Sequence, residues 1–284
     1  MLCSKVSKLI LLNYFFVVFI LLVKSGKALF QQSYKVDNII SKVILSKRLV
    51  QTIMGNIFII IGGFFMKLTD QLYESAKDIW DSYYEHPFVK GIGTGFLDID
   101  KFRFYMIQDY LYLLDYAKVF ALGVVKAQDE EMMKGFANSV NSILNGEMSI
   151  HKSYMKRLGI TEEEVRASKP SIDNTSYTNY MLWVSNNYGL LELAVAILSC
   201  SWSYKLIAEE LSKIPGSTEH EFYGEWVKGY ISKEYGEANQ WILDIVNNLG
   251  KDINEKKLEQ LKEIFINCSR YEYMFWDMSF NKEM

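Results

Sequence analysis

The sequence predicts an all-α fold. Apolar residues recur at spacings of three and four over long stretches, which places them on single helix faces. Only three prolines occur in 284 residues. β-Branched residues rarely alternate with polar ones in the manner of a half-buried strand. Half of the residues are hydrophobic, enough to fill a large core.

Residues 1–65 form a hydrophobic, basic extension that differs from the rest. They carry eight Lys and Arg against a single acid, Asp37. Leu9 to Val23 is a nearly continuous apolar run flanked by Lys5, Lys8 and Lys24, the layout of a signal peptide. It is shorter than the ~20 residues that span a bilayer. No A-x-A cleavage site follows, since the chain reads Ser25-Gly26-Lys27-Ala28. A second apolar run, Ile57 to Met66, is shorter still and contains Gly62-Gly63. Met66-Lys67-Leu68-Thr69-Asp70 then reads as the start of an ordinary soluble protein. The expectation is that the working protein begins at or near Met66 and is cytoplasmic, residues 1–65 being an over-extended gene start. The alternatives are a membrane anchor through residues 9–23 and a cleaved signal.

Residues 66–284 read as one helical domain. Thr69 is placed to cap a helix running to about Tyr84, with Leu72, Ile79, Trp80 and Tyr83 on one face. His86-Pro87 and the glycines Gly91, Gly93 and Gly95 predict a loop. Asp98 or Asp100 starts the second helix. Asp129 caps a long helix that Leu158-Gly159 ends. Thr161-Glu162-Glu163-Glu164 is a capping box for a short helix stopped by Lys169-Pro170. Further helices are expected at about 175–187, 189–213, 219–232, 235–249 and 255–282. No repeat, low-complexity tract or charge block interrupts them.

Charge and cysteine usage exclude some function classes. Without the extension the chain keeps 23 basic and 33 acidic residues, a net charge of −10, which argues against a nucleic-acid surface. Cys3, Cys200 and Cys268 are too few and too scattered for a disulfide framework or a zinc site, and His86, His151 and His220 are equally dispersed. A reducing compartment fits best.

Three helical stripes contain residues that do not suit a plain core. Leu261, Phe265, Cys268, Glu272, Phe275 and Ser279 form one face interrupted by a glutamate. Phe102, Tyr105, Asp109, Tyr112, Tyr116 and Phe120 form a second, interrupted by an aspartate. Leu193, Ile197, Cys200, Tyr204, Ile207 and Leu211 form a third, carrying a thiol. A carboxyl on an inward face loses water, which raises its pKa toward the range of a useful proton donor. Unpaired acids are almost never fully buried, so Asp109 and Glu272 belong either to a network with hydroxyls such as Tyr105, Tyr112 and Tyr116 or to a site. Taken alone, Cys200 reads first as a small buried hydrophobe, and Cys268, surrounded by Leu, Phe and Trp, reads the same way.

Two other patterns carry less. Glu147 and His151 lie four apart, whereas a di-iron bundle needs Glu-x-x-His at three-residue spacing, twice, with two further glutamates. A local hydrogen bond is the expectation. Gly91-Ile92-Gly93-Thr94-Gly95 follows no strand and is a connector rather than a dinucleotide loop.

Taken together, the motifs resemble those of the thiaminase II, or TenA, family. His86-Pro87-Phe88 with Gly91-Ile92-Gly93 is similar to its opening signature. Phe104-Tyr105 with Gln108-Asp109, Glu147-Met148-x-x-His151 and Ser176-Tyr177-Thr178 follow in order. Cys200-x-Trp202-x-Tyr204 and Tyr271-Glu272-Tyr273-Met274-Phe275-Trp276 complete the set. The resemblance runs from about Met66 to the end. It implies a heme-oxygenase-like helical bundle, assembled as a homotetramer, with no metal or organic cofactor. The implied activity is hydrolysis of 4-amino-5-aminomethyl-2-methylpyrimidine to the hydroxymethyl pyrimidine, and in some members cleavage of thiamine. On the same ground the nucleophile falls on Cys200 and the proton donor on Glu272. The pyrimidine-holding aspartate falls on Asp109, substrate-contacting tyrosines on Tyr204 and Tyr230, and tyrosines that activate the thiol on Tyr112 and Tyr177. Ser201, where an aromatic often follows the cysteine, is a minor departure.

The chemistry fits those residue types. Direct water attack does not expel an amine from the side arm of an aromatic pyrimidine. Adding sulfur to the ring breaks aromaticity, lets ring electrons expel the amine, and leaves an exocyclic carbon that water attacks before the sulfur departs. A free thiol of pKa ~8.5 needs hydrogen-bond donors to react at neutrality. A non-catalytic pyrimidine- or thiamine-binding regulator is the alternative, but it needs neither nucleophile nor acid. A metal-dependent oxidase on the same fold lacks its ligand set.

Overall fold

Side chains at the segment ends set most helix boundaries. The computed structural model describes residues 66–284, and every regular element among them is helical. The expectations for residues 1–65, including the anchor at residues 9–23, lie outside the described residues.

The first helix, α1 (Leu68–Glu85), is not capped by Thr69; Lys67 holds the N-cap position without a side-chain bond. The Thr69 N–H and hydroxyl instead donate to Asn247 Oδ1, each at 3.1 Å. They tie the first turn to a helix 178 residues away. The segment expected as a loop is a helix, α2 (Pro87–Thr94). His86 Nδ1 accepts from the Phe88 N–H at 3.1 Å, and its Nε2 faces Asp277 Oδ1 at 3.0 Å. Pro87 sits at N1, where a missing N–H has no cost, and Gly95 ends the helix at φ 77°. Two short-range demands, a cap and a left-handed stop, thus turn a glycine-rich stretch into a helix.

Asp98 caps α3 (Ile99–Lys126), and Asp129 caps α4 (Glu130–Asn141) by accepting from the Met132 N–H at 2.8 Å. The single helix expected from Asp129 to Leu158 changes register midway. A π-helical segment, Ser142–Glu147, joins α4 to α5 (Met148–Arg157). Thr161 caps α6 (Glu162–Ala167) as expected, its hydroxyl accepting from the Glu164 N–H. Ser171 starts α7 (Ile172–Asn187) three residues earlier than the apolar pattern suggested. α8 (Leu190–Leu211), α9 (Tyr223–Tyr230), α10 (Lys233–Leu249) and α11 (Glu255–Asn281) follow.

α8 lies at the centre, packed against α7, α9, α10 and α11. Its apolar length would suffice to cross a membrane, yet 78% of that window is buried inside the fold, as in a core helix. All members of the three stripes on α3, α8 and α11 are buried, the polar exceptions included. Each large apolar side chain so buried contributes about 1.5–3 kcal/mol. Trp276 of α11 joins the three helices, stacking on Tyr105 at 5.9 Å and tilting against Tyr204 at 5.0 Å between ring centroids.

Candidate active site

α3, α8 and α11 direct Asp109, Cys200 and Glu272 toward one another closely enough for each to feel the others' charge. A cavity of about 760 Å³ opens on this point, between α3, α8 and the chain from α4 to α10. Five of the seven expected site residues line it: Asp109, Tyr112, Cys200, Tyr204 and Tyr230. Tyr177 and Glu272 do not. They lie one layer deeper, where the Tyr177 hydroxyl donates to Glu272 Oε2 at 3.0 Å.

The buried Glu272 is 2% exposed. Loss of water raises its carboxyl to about 8, against the opposing hydrogen bonds of Tyr177, Tyr204 and Cys200. Burial likewise pushes the Cys200 thiol well above its usual value, and the Glu272 charge adds to that; the Tyr112 hydroxyl acts in the opposite direction. The two tyrosines expected beside the thiol therefore differ. Tyr112 counters the rise of the thiol's pKa while its hydroxyl donates to Met181 Sδ at 3.9 Å, whereas the Tyr177 hydroxyl donates to Glu272.

Asp109 finds a partner that the tyrosine network did not suggest. Its Oδ2 lies 2.5 Å from His151 Nε2, with both side chains buried. The tyrosine hydroxyls are engaged elsewhere: Tyr116 donates to the Ile197 carbonyl at 3.1 Å, and Tyr105 accepts from Trp226 Nε1 at 3.2 Å. His151 Nδ1 faces the Glu147 carbonyl at 3.0 Å and so must be its donor, leaving Nε2 to share a proton with Asp109. Burial lowers the His151 pKa, but the bond to Asp109 and the surrounding negative charge outweigh it, and the net shift is upward. The expected local bond between Glu147 and His151 exists, made by the backbone carbonyl and not by the carboxylate.

Glu147 and His151 both line the cavity, and sequence reasoning left them out of the site. Their signal was the i, i+4 pair itself, weighed as a metal motif and read as a local hydrogen bond. Ser201, the departure after Cys200, is held from behind: its carbonyl accepts from Tyr235 Oη at 3.0 Å and from Asn239 Nδ2 at 2.8 Å. Among the described residues no three His, Cys, Asp or Glu side chains converge as metal ligands. The arrangement offers a thiol, a protonated carboxyl beside it, a paired carboxylate, and aromatic walls on which a flat ring stacks.

Known proteins share this architecture. The TENA/THI-4/PQQC family model matches residues 73–282. An aminopyrimidine aminohydrolase of Helicobacter pylori is 51% identical over 215 residues, covering 76% of this chain and 99% of that protein. The solved TenA homologue from P. horikoshii OT3 superposes with a TM-score of 0.70 at 28% identity, covering 76% of this chain and 99% of that one. A domain with a heme oxygenase-like fold from Shewanella denitrificans OS217 shares the fold at 17% identity and a TM-score of 0.61, covering 77% and 94% of the two chains. With the family match spanning α1 to α11, the chain belongs to the TENA/THI-4/PQQC family.

Proposed function

We propose that the protein is a hydrolase acting on C–N bonds, an aminopyrimidine aminohydrolase of the thiaminase II type working in thiamine salvage. It converts 4-amino-5-aminomethyl-2-methylpyrimidine to the 5-hydroxymethyl pyrimidine by covalent catalysis through Cys200, and it cleaves thiamine by the same steps. The observation that carries this reading is the thiol of Cys200 on the cavity wall with the protonated Glu272 carboxyl against it. The 51% identity to a protein of that name supports the substrate class.

Burial keeps the thiol protonated at neutrality, so sulfur and proton add to the ring together. Glu272 gives its proton to a ring nitrogen as Cys200 sulfur bonds to the adjacent ring carbon, and it recovers the thiol's proton. The ring amino group, held by Asp109, then pushes its electrons toward the side arm, whose amine enters as its ammonium ion and leaves as ammonia. Water adds to the exocyclic carbon, the carbon–sulfur bond breaks as Glu272 returns a proton to sulfur and takes back that of the ring nitrogen, and aromaticity returns. Asp109 is fixed for its task by His151, and Tyr204 and Tyr230, whose rings pack on each other at 4.9 Å, together wall one side of the ring. Tyr112 steadies developing charge on sulfur, and Tyr177 orients the Glu272 carboxyl. No step needs a metal or organic cofactor. A homotetramer, the assembly that the family resemblance implies, is the proposed state.

The test is to incubate the purified full chain with the aminopyrimidine and, separately, with thiamine, following hydroxymethyl pyrimidine by chromatography. Formation of that product from the aminopyrimidine is expected. Tight pyrimidine binding with no product would make the protein a binder or regulator.

A further inference from the structure

Glu147 is a carboxyl in the cavity wall that the steps above do not use. Its place there depends on the π-helical segment. The residues facing the cavity along this stretch recur as pairs four apart: Asn138 and Ser139, Ser142 and Ile143, Gly146 and Glu147, Ile150 and His151. In a regular α-helix a four-residue step overshoots one turn by about 40°, so the three steps from Asn138 to Ile150 would rotate the face by about 120°, a third of the way round. The wider turn at Ser142–Glu147 cancels part of that drift and keeps Glu147 and His151 on one wall.

The carboxyl is not consumed by structure. His151 takes the backbone carbonyl of Glu147 and leaves the side chain free. Among the described residues its one hydrogen bond comes from the Tyr230 hydroxyl to Oε1, at 3.4 Å. Burial raises it to about 7, with His151 pulling down and Asp109 pushing up, so it exchanges protons readily at neutrality. Tyr105, Tyr116 and Tyr235 also feel its charge.

The chemistry calls for a second proton carrier. Around the pyrimidine the order is ring nitrogen, the carbon that bonds sulfur, the carbon bearing the side arm, and the carbon bearing the amino group. Glu272 serves the first, Cys200 the second, and Asp109 holds the amino group. The exocyclic carbon thus lies between the positions served by Cys200 and Asp109, and the Glu147 carboxyl lines the same cavity as Asp109, near enough for the two charges to interact. Water attacking that carbon must lose a proton, and Glu272 is engaged at the ring nitrogen.

We propose that Glu147 is the base that takes this proton. A bond forms between water oxygen and the exocyclic carbon, and the electron pair of the exocyclic double bond returns to the ring. The released proton passes to the Glu147 carboxylate, then to the departed ammonia as ammonium. The proposal rests on the aminopyrimidine hydrolase reading.

The experiment is pre-steady-state ammonia release by full-length Glu147→Gln, with and without azide. Azide has no proton to lose when it attacks and so needs no base. The expected result is a burst of about one ammonia per site, steady-state turnover about 100-fold below wild type, and azide restoring turnover with an azidomethyl pyrimidine as product. Turnover within about threefold of wild type, or absence of both burst and azide rescue, overturns the assignment. Glu147→Ala with added formate is the second variant: rescue by formate supports the base, and no rescue overturns it. Failure of both variants to bind the pyrimidine would make Glu147 structural and also overturn it. Wild type that releases no ammonia would instead defeat the hydrolase reading itself.

Discussion

Glu272 is held near 8 by its burial, so at neutral pH it carries the proton that ring addition requires. Turnover should therefore fall as pH rises through about 8, where the acid ionises. Glu272→Gln should lower kcat by about 10²–10⁴ with a nearly unchanged KM, and the variant should lose that alkaline limb. A raised KM at unchanged kcat would make Glu272 a binding residue. His151→Ala should behave differently. It leaves the buried Asp109 without its partner at 2.5 Å, so the ring is held less firmly and KM should rise more than kcat falls, read by steady-state kinetics. Asp109 and Glu272 stood out in the sequence because each breaks an apolar stripe of regular period, whereas Cys200 stood out only through the family resemblance. His151 and Glu147 did not, because the helix that carries them departs from that period. Nor could spacing show that the Tyr177 hydroxyl serves Glu272 before the thiol.

Helices were legible where a side chain caps its own segment. Asp98, Asp129 and Thr161 each accept a hydrogen bond from an N–H two or three residues on. Thr69 was misread because its partner, Asn247, is far away in sequence. α2 was missed because glycines and a proline signal a turn until His86 is seen to cap them. Close approach between elements is equally invisible beforehand. Gly123 of α3 faces the buried ring of Phe136 on α4, and an added Cβ would stand 2.4 Å from it. Gly123→Ala should push the two helices apart and destabilise the fold by about 1–3 kcal/mol. Thermal unfolding should show Tm several degrees lower, and an unchanged Tm would mean that α3 and α4 yield at no cost.

For the whole domain, the buried Glu272 and the half-buried Glu147, both with raised pKa values, link stability to pH. Glu272 at about 8 and Glu147 at about 7 both bind protons more tightly folded than unfolded, and His151 is shifted the same way. Their contribution is present in full at about pH 4.5 for the two acids and is lost as pH rises through the folded values. Tm should therefore decline between about pH 5 and pH 8, and Glu272→Gln should flatten the decline; a rise over that window would contradict the burial of these groups. The family match at residues 73–282 makes residues 66–284 the proposed working unit. That fragment should match the full chain in kcat and KM, and an inactive fragment would give the extension a role in the site. At the centre of the molecule is the claim that Cys200, among the described residues the one thiol on the cavity wall, bonds to the substrate ring. Single-turnover chromatography of full-length Cys200→Ser tests it most directly. The expected result is a folded protein that still binds the pyrimidine but forms product at less than about one thousandth of the wild-type rate. Product formation by that variant at a substantial fraction of the wild-type rate would contradict covalent catalysis.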